Sequence, residues 1–274
     1  MSAENLASGA ARGRVRVGVG GWTFEPWRNN FYPAGLSHDK ELAYASRQLS
    51  VIEINGTYYG LQKPATFAKW REQTPADFVF SLKASRHTTN RRVLAEAGES
   101  IERFVHSGIA ELGPKLGPIV WQFAPTKRFD AADFERFLDL LPRAVQGLPL
   151  RHAVDVRHES FKSAEYLALA RRHRVATVFT ESADYPALAD VTGDFIYTRI
   201  MRTDNQFPQG CAPQVLDQIA ECALLWHQGQ EPQGLPRVEP PLPKTAPRDV
   251  FVFFISGAKE KAPAAAMALR QRVD

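Results

Sequence analysis

The chain has 274 residues, 44% hydrophobic and 23% charged, with 34 basic against 30 acidic side chains and a net charge of +4. These are the proportions of an ordinary soluble globular protein, long enough for one α/β barrel or at most two small domains. No apolar stretch approaches the roughly 18 residues of a bilayer span, and no basic run is long enough for a dedicated nucleic-acid-binding arm.

Residues 1–14, MSAENLASGAARGR, lack the apolar core of a secretory signal and read as a flexible polar tail, so a cytoplasmic location is expected. Eight short apolar runs follow: Val15–Gly20, Val51–Asn55, Phe78–Lys83, Pro118–Phe123, His152–Arg157, Ala176–Glu181, Phe195–Arg199 and Val250–Ser256. Each alternates like a strand, and helix-like segments separate nearly all of them. That order predicts a single TIM-like (β/α)8 barrel over residues 15–274, with its site at the C-terminal strand ends.

Between the first two runs, Ser37 is a plausible N-cap for a helix reaching about Gln48. A short helix is expected around Ala65–Glu72, and a longer one over Leu94–Leu112, where Ile101, Phe104, Val105 and Ile109 share a face. Phe134, Phe137, Leu138 and Leu141 mark the next helix, and Tyr166, Leu167 and Ala170 the one after it. Only a short connection with Tyr185-Pro186 separates runs six and seven. A helix from about Pro213 to Gln228 follows, with proline suited to its first turn. Residues 229–248 then hold six prolines and two glycines, and read as a surface loop or poorly ordered insertion before strand eight. A helix from Pro263 closes the chain.

Strand alternation sorts the polar groups. Glu53, Asn55, Ser81, Lys83, Gln122, Asp155, Arg157, Tyr197 and Arg199 fall on the face opposite the helix-packing residues. In a closed barrel they project into its interior or mouth, where a charge must be paired or hydrated. One reading is a self-satisfied lattice in which Glu53 and Asp155 pair with Lys83, Arg157 and Arg199. The other is a site. Tyr58 and Tyr59 can line its mouth, and His87 and His158 lie just past strands three and five. Glu181 is ambiguous in facing. Arg199, Arg202, Ser256 and Gly257, after strands seven and eight, stand where barrels frequently hold a phosphate. The two cysteines, Cys211 and Cys222, read as buried or incidental thiols.

Taken in order, GVGGWTFEPWRNNFYP, EINGTYYGLQKPATFAKW, FVFSLKASRHTTN, LGPIVWQFAP, AVDVRHESF, YTRI and KAPAAAMAL resemble domain-of-unknown-function family 72, the YecE-like proteins. The resemblance spans Val17 to about Leu269 and implies a TIM-like barrel, without supplying an activity. Glu53, Asn55, Lys83, Gln122, Asp155, Arg157 and Arg199 stand at family motif positions. Asn90, Asp155, Phe161, Met201-Arg202 and Ile255-Ser256 depart from the residues usual there, as does the proline-rich insertion.

The leading expectation is an enzyme that needs no metal or cofactor and acts on a small anionic, phosphate- or carboxylate-bearing, sugar-like substrate. Glu53 or Asp155 would be the general base. Lys83, Arg157 and Arg199 would hold the anion, with Arg202 and Tyr58 also contacting it, while Asn55 and Gln122 orient it. Lys83 can alternatively form a Schiff base. A second reading is a metal-dependent hydrolase or isomerase using Glu53, Asp155, Glu181 and His158. A third is a non-enzymatic binder of nucleic acid or anions through Arg86–Arg92.

Overall fold

The computed structural model describes residues 13–274, so the expected tail lies outside the described residues save for Gly13 and Arg14. Eight parallel strands close a barrel: β1 (Val15–Gly20), β2 (Val51–Ile54), β3 (Val79–Lys83), β4 (Leu116–Gln122), β5 (His152–Asp155), β6 (Ala176–Glu181), β7 (Phe195–Ile200) and β8 (Asp249–Phe254). Each pairs with its sequence neighbours, and β8 closes onto β1 through Val15 opposite Val250 and Val19 opposite Phe254. Valine, isoleucine and phenylalanine dominate these segments because branched and aromatic side chains pack well on a pleated surface.

The alternation separates two apolar bodies. Val51, Val79, Val120, Ala153, Tyr197 and Phe253 fill the barrel, while Ile52, Phe80, Trp121, Val154 and Ile196 pack outward against the helices. The floor is closed by Arg151, whose guanidinium lies 5.1 Å from the Phe251 ring and 2.6 Å from Asp249. Everything above that floor is apolar until the Tyr197 hydroxyl, so the polar groups are confined to the C-terminal half of the barrel.

Outside the barrel, Trp121 is held by a buried histidine. Its Nε1 donates to His152 Nδ1 at 3.0 Å, which leaves His152 Nε2 to donate to the Pro142 carbonyl at 2.8 Å. Burial pushes this imidazole down to about 4 from an ordinary 6.5. The unfolded chain therefore binds the proton first, so stability is complete above about pH 6.5 and falls as pH drops towards 4, by about 3 kcal/mol in all. His152→Gln, which keeps a donor and an acceptor without titrating, should flatten that part of the urea-midpoint profile between pH 7 and 4. Parallel profiles for the two proteins would refute the assignment.

The helices are α1 (His38–Gln48), α2 (Gly56–Tyr59), α3 (Pro64–Gln73), α4 (Arg86–Thr89), α5 (Gly98–Val105), α6 (Ala131–Asp139), α7 (Ala164–Arg172), α8 (Pro213–His227) and α9 (Ala262–Val273). The single helix expected over Leu94–Leu112 is instead three pieces. A 3-10 turn at Leu94–Glu96 precedes α5, and a second 3-10 segment, Ile109–Lys115, starts after Gly108. Gly108 has φ +113, and a Cβ there would meet Pro64 at 2.7 Å, so the chain must break where the apolar spacing runs on. A two-residue turn at Gln146-Gly147, both with positive φ, joins a small hairpin that the sequence reading did not anticipate.

No helix follows β6. Residues 182–194 cross directly to β7, and the proline-rich loop folds over the exposed flank. The Ala189 amide donates to the Pro236 carbonyl at 2.9 Å, and the Asp190 carboxylate accepts the amides of Val238 and Glu239, each at 2.9 Å. Among the described residues no helix is long and apolar enough to cross a membrane.

A candidate active site at the barrel mouth

The strand ends converge on two polar tiers beneath an open cavity. In the deepest, Tyr197 OH donates to Glu53 Oε2 at 2.6 Å and lies 2.8 Å from Ser81 Oγ. Above it, Arg199 bridges two carboxylates. Its Nη2 and Nε donate to Glu53 at 2.6 and 3.1 Å, and its Nη1 donates to Asp155 Oδ2 at 2.7 Å. Arg157 reaches back to the same Asp155 oxygen at 3.0 Å, and Thr180 donates to Asp155 Oδ1 at 3.3 Å. Glu53 and Asp155 are 0% exposed and Arg199 2%. Burial alone would lower the Arg199 guanidinium, but the two carboxylates reverse this and raise it. Charges this deep persist because each is paired and hydrogen-bonded.

Above the lattice opens a cavity of about 620 Å3. Asn55, Lys83, Gln122, Arg157 and Arg199 reach it from the ends of five strands, and Ser256 from the loop after β8. Trp22 and Trp70 form an aromatic wall with their rings edge to face at 5.1 Å, and the Arg157 guanidinium lies 4.2 Å from the Tyr185 ring. Gln122 Oε1 is a long 3.4 Å from Arg199 Nη1.

Two lysines complete the lining. Lys83, at the end of β3, is 9% exposed and has no carboxylate or hydrogen-bond acceptor for its amine among the described residues; Nζ sits 4.2 Å above the Tyr58 ring. Burial first, then the neighbouring Arg199, lowers it from 10.5 to about 8. Lys259 Nζ lies 4.3 Å from the Phe24 ring, also without a carboxylate partner among the described residues, and burial lowers it as well. Since Arg199 and Arg157 offset Glu53 and Asp155, the surplus charge of the mouth resides on these amines.

The residues named from sequence therefore separate. Asn55, Lys83, Gln122, Arg157 and Arg199 meet at one cavity. Glu53 and Asp155 lie beneath it, with all four carboxylate oxygens engaged, so neither is placed to take a proton from a bound molecule. Tyr58 presents its ring to Lys83, whereas Tyr59 lines the cavity. Arg202 is elsewhere: 65% exposed and 3.7 Å from Glu181, it borders an apolar groove against α8. Strand β7 stops at Ile200, so alternation cannot be extended to residue 202. With Arg199 committed to carboxylates and Arg202 outside, the anion position expected from those two arginines is not formed by them.

The alternative metal ligands do not gather either. Glu53 and Asp155 are bridged by Arg199, Glu181 lines the α8 groove, and His158 Nδ1 lies 2.9 Å from Ser160 Oγ. Among the described residues no three His, Cys, Asp or Glu side chains cluster for a metal. In the basic segment, α4 takes up Arg86–Thr89 and Arg91 Nε donates to the His87 carbonyl at 2.7 Å. Both cysteines are free, Cys211 buried and Cys222 half-buried. Lys259, Trp22 and Tyr185 are cavity residues the sequence reading did not select. The signal available for Lys259 was its place in the loop directly after the eighth strand.

These features define a TIM-like α/β barrel with a closed apolar interior and a basic, polar mouth. The chain belongs to the DUF72 family, described as a protein of unknown function, which matches residues 16–274. It is similar to UPF0759 protein YecE of Escherichia coli strain K12, 27% identical over 150 residues, covering 54% of this chain and 50% of that protein. It is also similar to UPF0759 protein YunF of Bacillus subtilis strain 168, 25% identical over 116 residues and 40% of each chain. The matched part thus spans half or less of these curated relatives. Among solved structures, a DUF72 family protein from Thermotoga maritima superposes with a TM-score of 0.72 at 21% identity, covering 94% of this chain and 98% of that one. One from Enterococcus faecalis gives 0.68 at 16%, covering 94% and 95%. At such identities the likeness establishes the barrel.

Proposed function

We propose that the protein is an enzyme that takes a small anionic, sugar-sized compound into the barrel mouth and transforms it by acid–base chemistry centred on Lys83. The observation that carries this reading is the charge left after internal pairing: two lysine amines without carboxylate partners among the described residues face one cavity of about 620 Å3. Lys259 and Arg157 attract and hold the anion, Asn55 and Gln122 orient its polar groups, and Trp22 walls one side. The base role moves from Glu53 and Asp155 to Lys83, because an amine lowered to about 8 is partly neutral near pH 7 and able to accept a proton. The carboxylates become the scaffold that fixes Arg199 and Arg157.

Calorimetric titration with glycerol 3-phosphate and with glycerate tests the reading. Lys259→Gln should weaken binding of the preferred anion about tenfold, which is 1.4 kcal/mol, and added salt should weaken it further. Binding that is absent, or equal in the two proteins, would overturn it.

A further inference from the structure

Lys83 differs from the arginines and carboxylates of the mouth. The two carboxylates that would ordinarily pair with it are consumed by Arg199 and Arg157, leaving Nζ facing the cavity and an aromatic ring. Its backbone is fixed: the Lys83 carbonyl accepts from Thr57 Oγ1 at 2.7 Å, and β3 pairs with β2 on one side and, past a shift in register between Phe80 and Leu82, with β4 through Lys83 opposite Val120 on the other. A lysine whose task is only to hold an anion gains from being fully charged. This one is buried and lies beside Arg199 instead, which disfavours its charged form and frees the nitrogen lone pair.

We propose that Lys83 attacks the carbonyl carbon of a small anionic aldehyde or ketone and holds it as an imine. This rests on the reading that the mouth admits a small anion, and narrows that substrate to a carbonyl compound. Nζ forms the new C–N bond as the C=O π pair moves to oxygen. A proton passes from the nitrogen to that oxygen, giving a carbinolamine. The hydroxyl then takes up one solvent proton and departs as water while the nitrogen lone pair closes the C=N bond. The iminium keeps the remaining N–H, and no oxidant or reductant is consumed. Lys259, with its amine also unpaired, faces the same cavity and receives the phosphate or carboxylate of the bound molecule. The lowered amine, about 8 against 10.5, presents roughly 300 times more neutral lysine at pH 7 than an ordinary one would.

Borohydride trapping tests this on the full-length protein. With dihydroxyacetone phosphate, and separately with glyoxylate, reduction should leave a secondary amine on Lys83. Peptide mass mapping should find near-stoichiometric adduct at that residue from at least one probe. Lys83→Arg, which keeps the charge but not the nucleophile, should abolish the adduct. No adduct with either probe, or labelling spread over surface lysines and unchanged in Lys83→Arg, would overturn the imine. If the wild-type protein then still binds either anion calorimetrically, only the covalent step falls. If binding is lost as well, the anion-binding reading falls with it.

Discussion

Arg199→Met should destabilise the fold by about 3–5 kcal/mol, the cost of removing one partner from a buried ion pair. The substitution leaves the side chains of Glu53 and Asp155, both 0% exposed, without their shared cation. Arg157 can still serve Asp155, but Glu53 would keep only the Tyr197 hydroxyl. Urea denaturation near pH 7 measures the effect. A loss below about 1 kcal/mol would show that the lattice is hydrated in solution. Glu53→Gln combined with Arg199→Met should recover part of the loss, because a neutral amide in that position no longer requires a counter-charge. Strict additivity of the two substitutions would contradict direct coupling.

Lys83→Met should act in the opposite direction on stability while removing function. The fall of the Lys83 amine from 10.5 to about 8 corresponds to about 3 kcal/mol paid by the folded protein to keep the charge. The folded state binds this proton less readily than the unfolded chain. The penalty is therefore complete below pH 8, shrinks as pH rises, and vanishes above about 10.5. At pH 7 the methionine variant should be more stable by up to that amount, and the gap between the two proteins should narrow by pH 10 and close above about pH 10.5. A destabilised variant, or a gap independent of pH, would mean that Lys83 is structural. Stability sacrificed at a cavity residue is the usual mark of a working group.

Period-two alternation was enough to separate the two faces of the barrel. Glu53, Lys83, Gln122, Asp155 and Arg199 all turn inward as the pattern requires, since each lies within a regular strand. The choice of partner was not accessible in the same way. Glu53 and Arg199 are 146 positions apart, and nothing local specifies that Arg199 meets both carboxylates while Lys83 meets neither. Depth along a strand was equally hidden, so Glu53 looked like a base when it is a buried anchor. Beyond the strand ends the rule lapses altogether. Arg202, two residues beyond the end of β7, lies outside the mouth, and Lys259, in the loop after β8, lines it. The helix expected over Leu94–Leu112 failed for a related reason, because apolar spacing persists through a break that only Gly108 marks.

The lattice also constrains the order in which the chain can assemble. Strands β1–β4 carry Glu53 but neither Arg199 nor Asp155, which arrive on β7 and β5. A nascent or excised first half therefore holds Glu53 without its guanidinium partner. One guanidinium on β7 ties together segments from both halves, and β8 pairs with β1 to close the barrel. The late, long-range nature of these contacts makes closure slow relative to local helix formation. A cut after β4 is therefore expected to separate Glu53 from its guanidinium and disable the barrel.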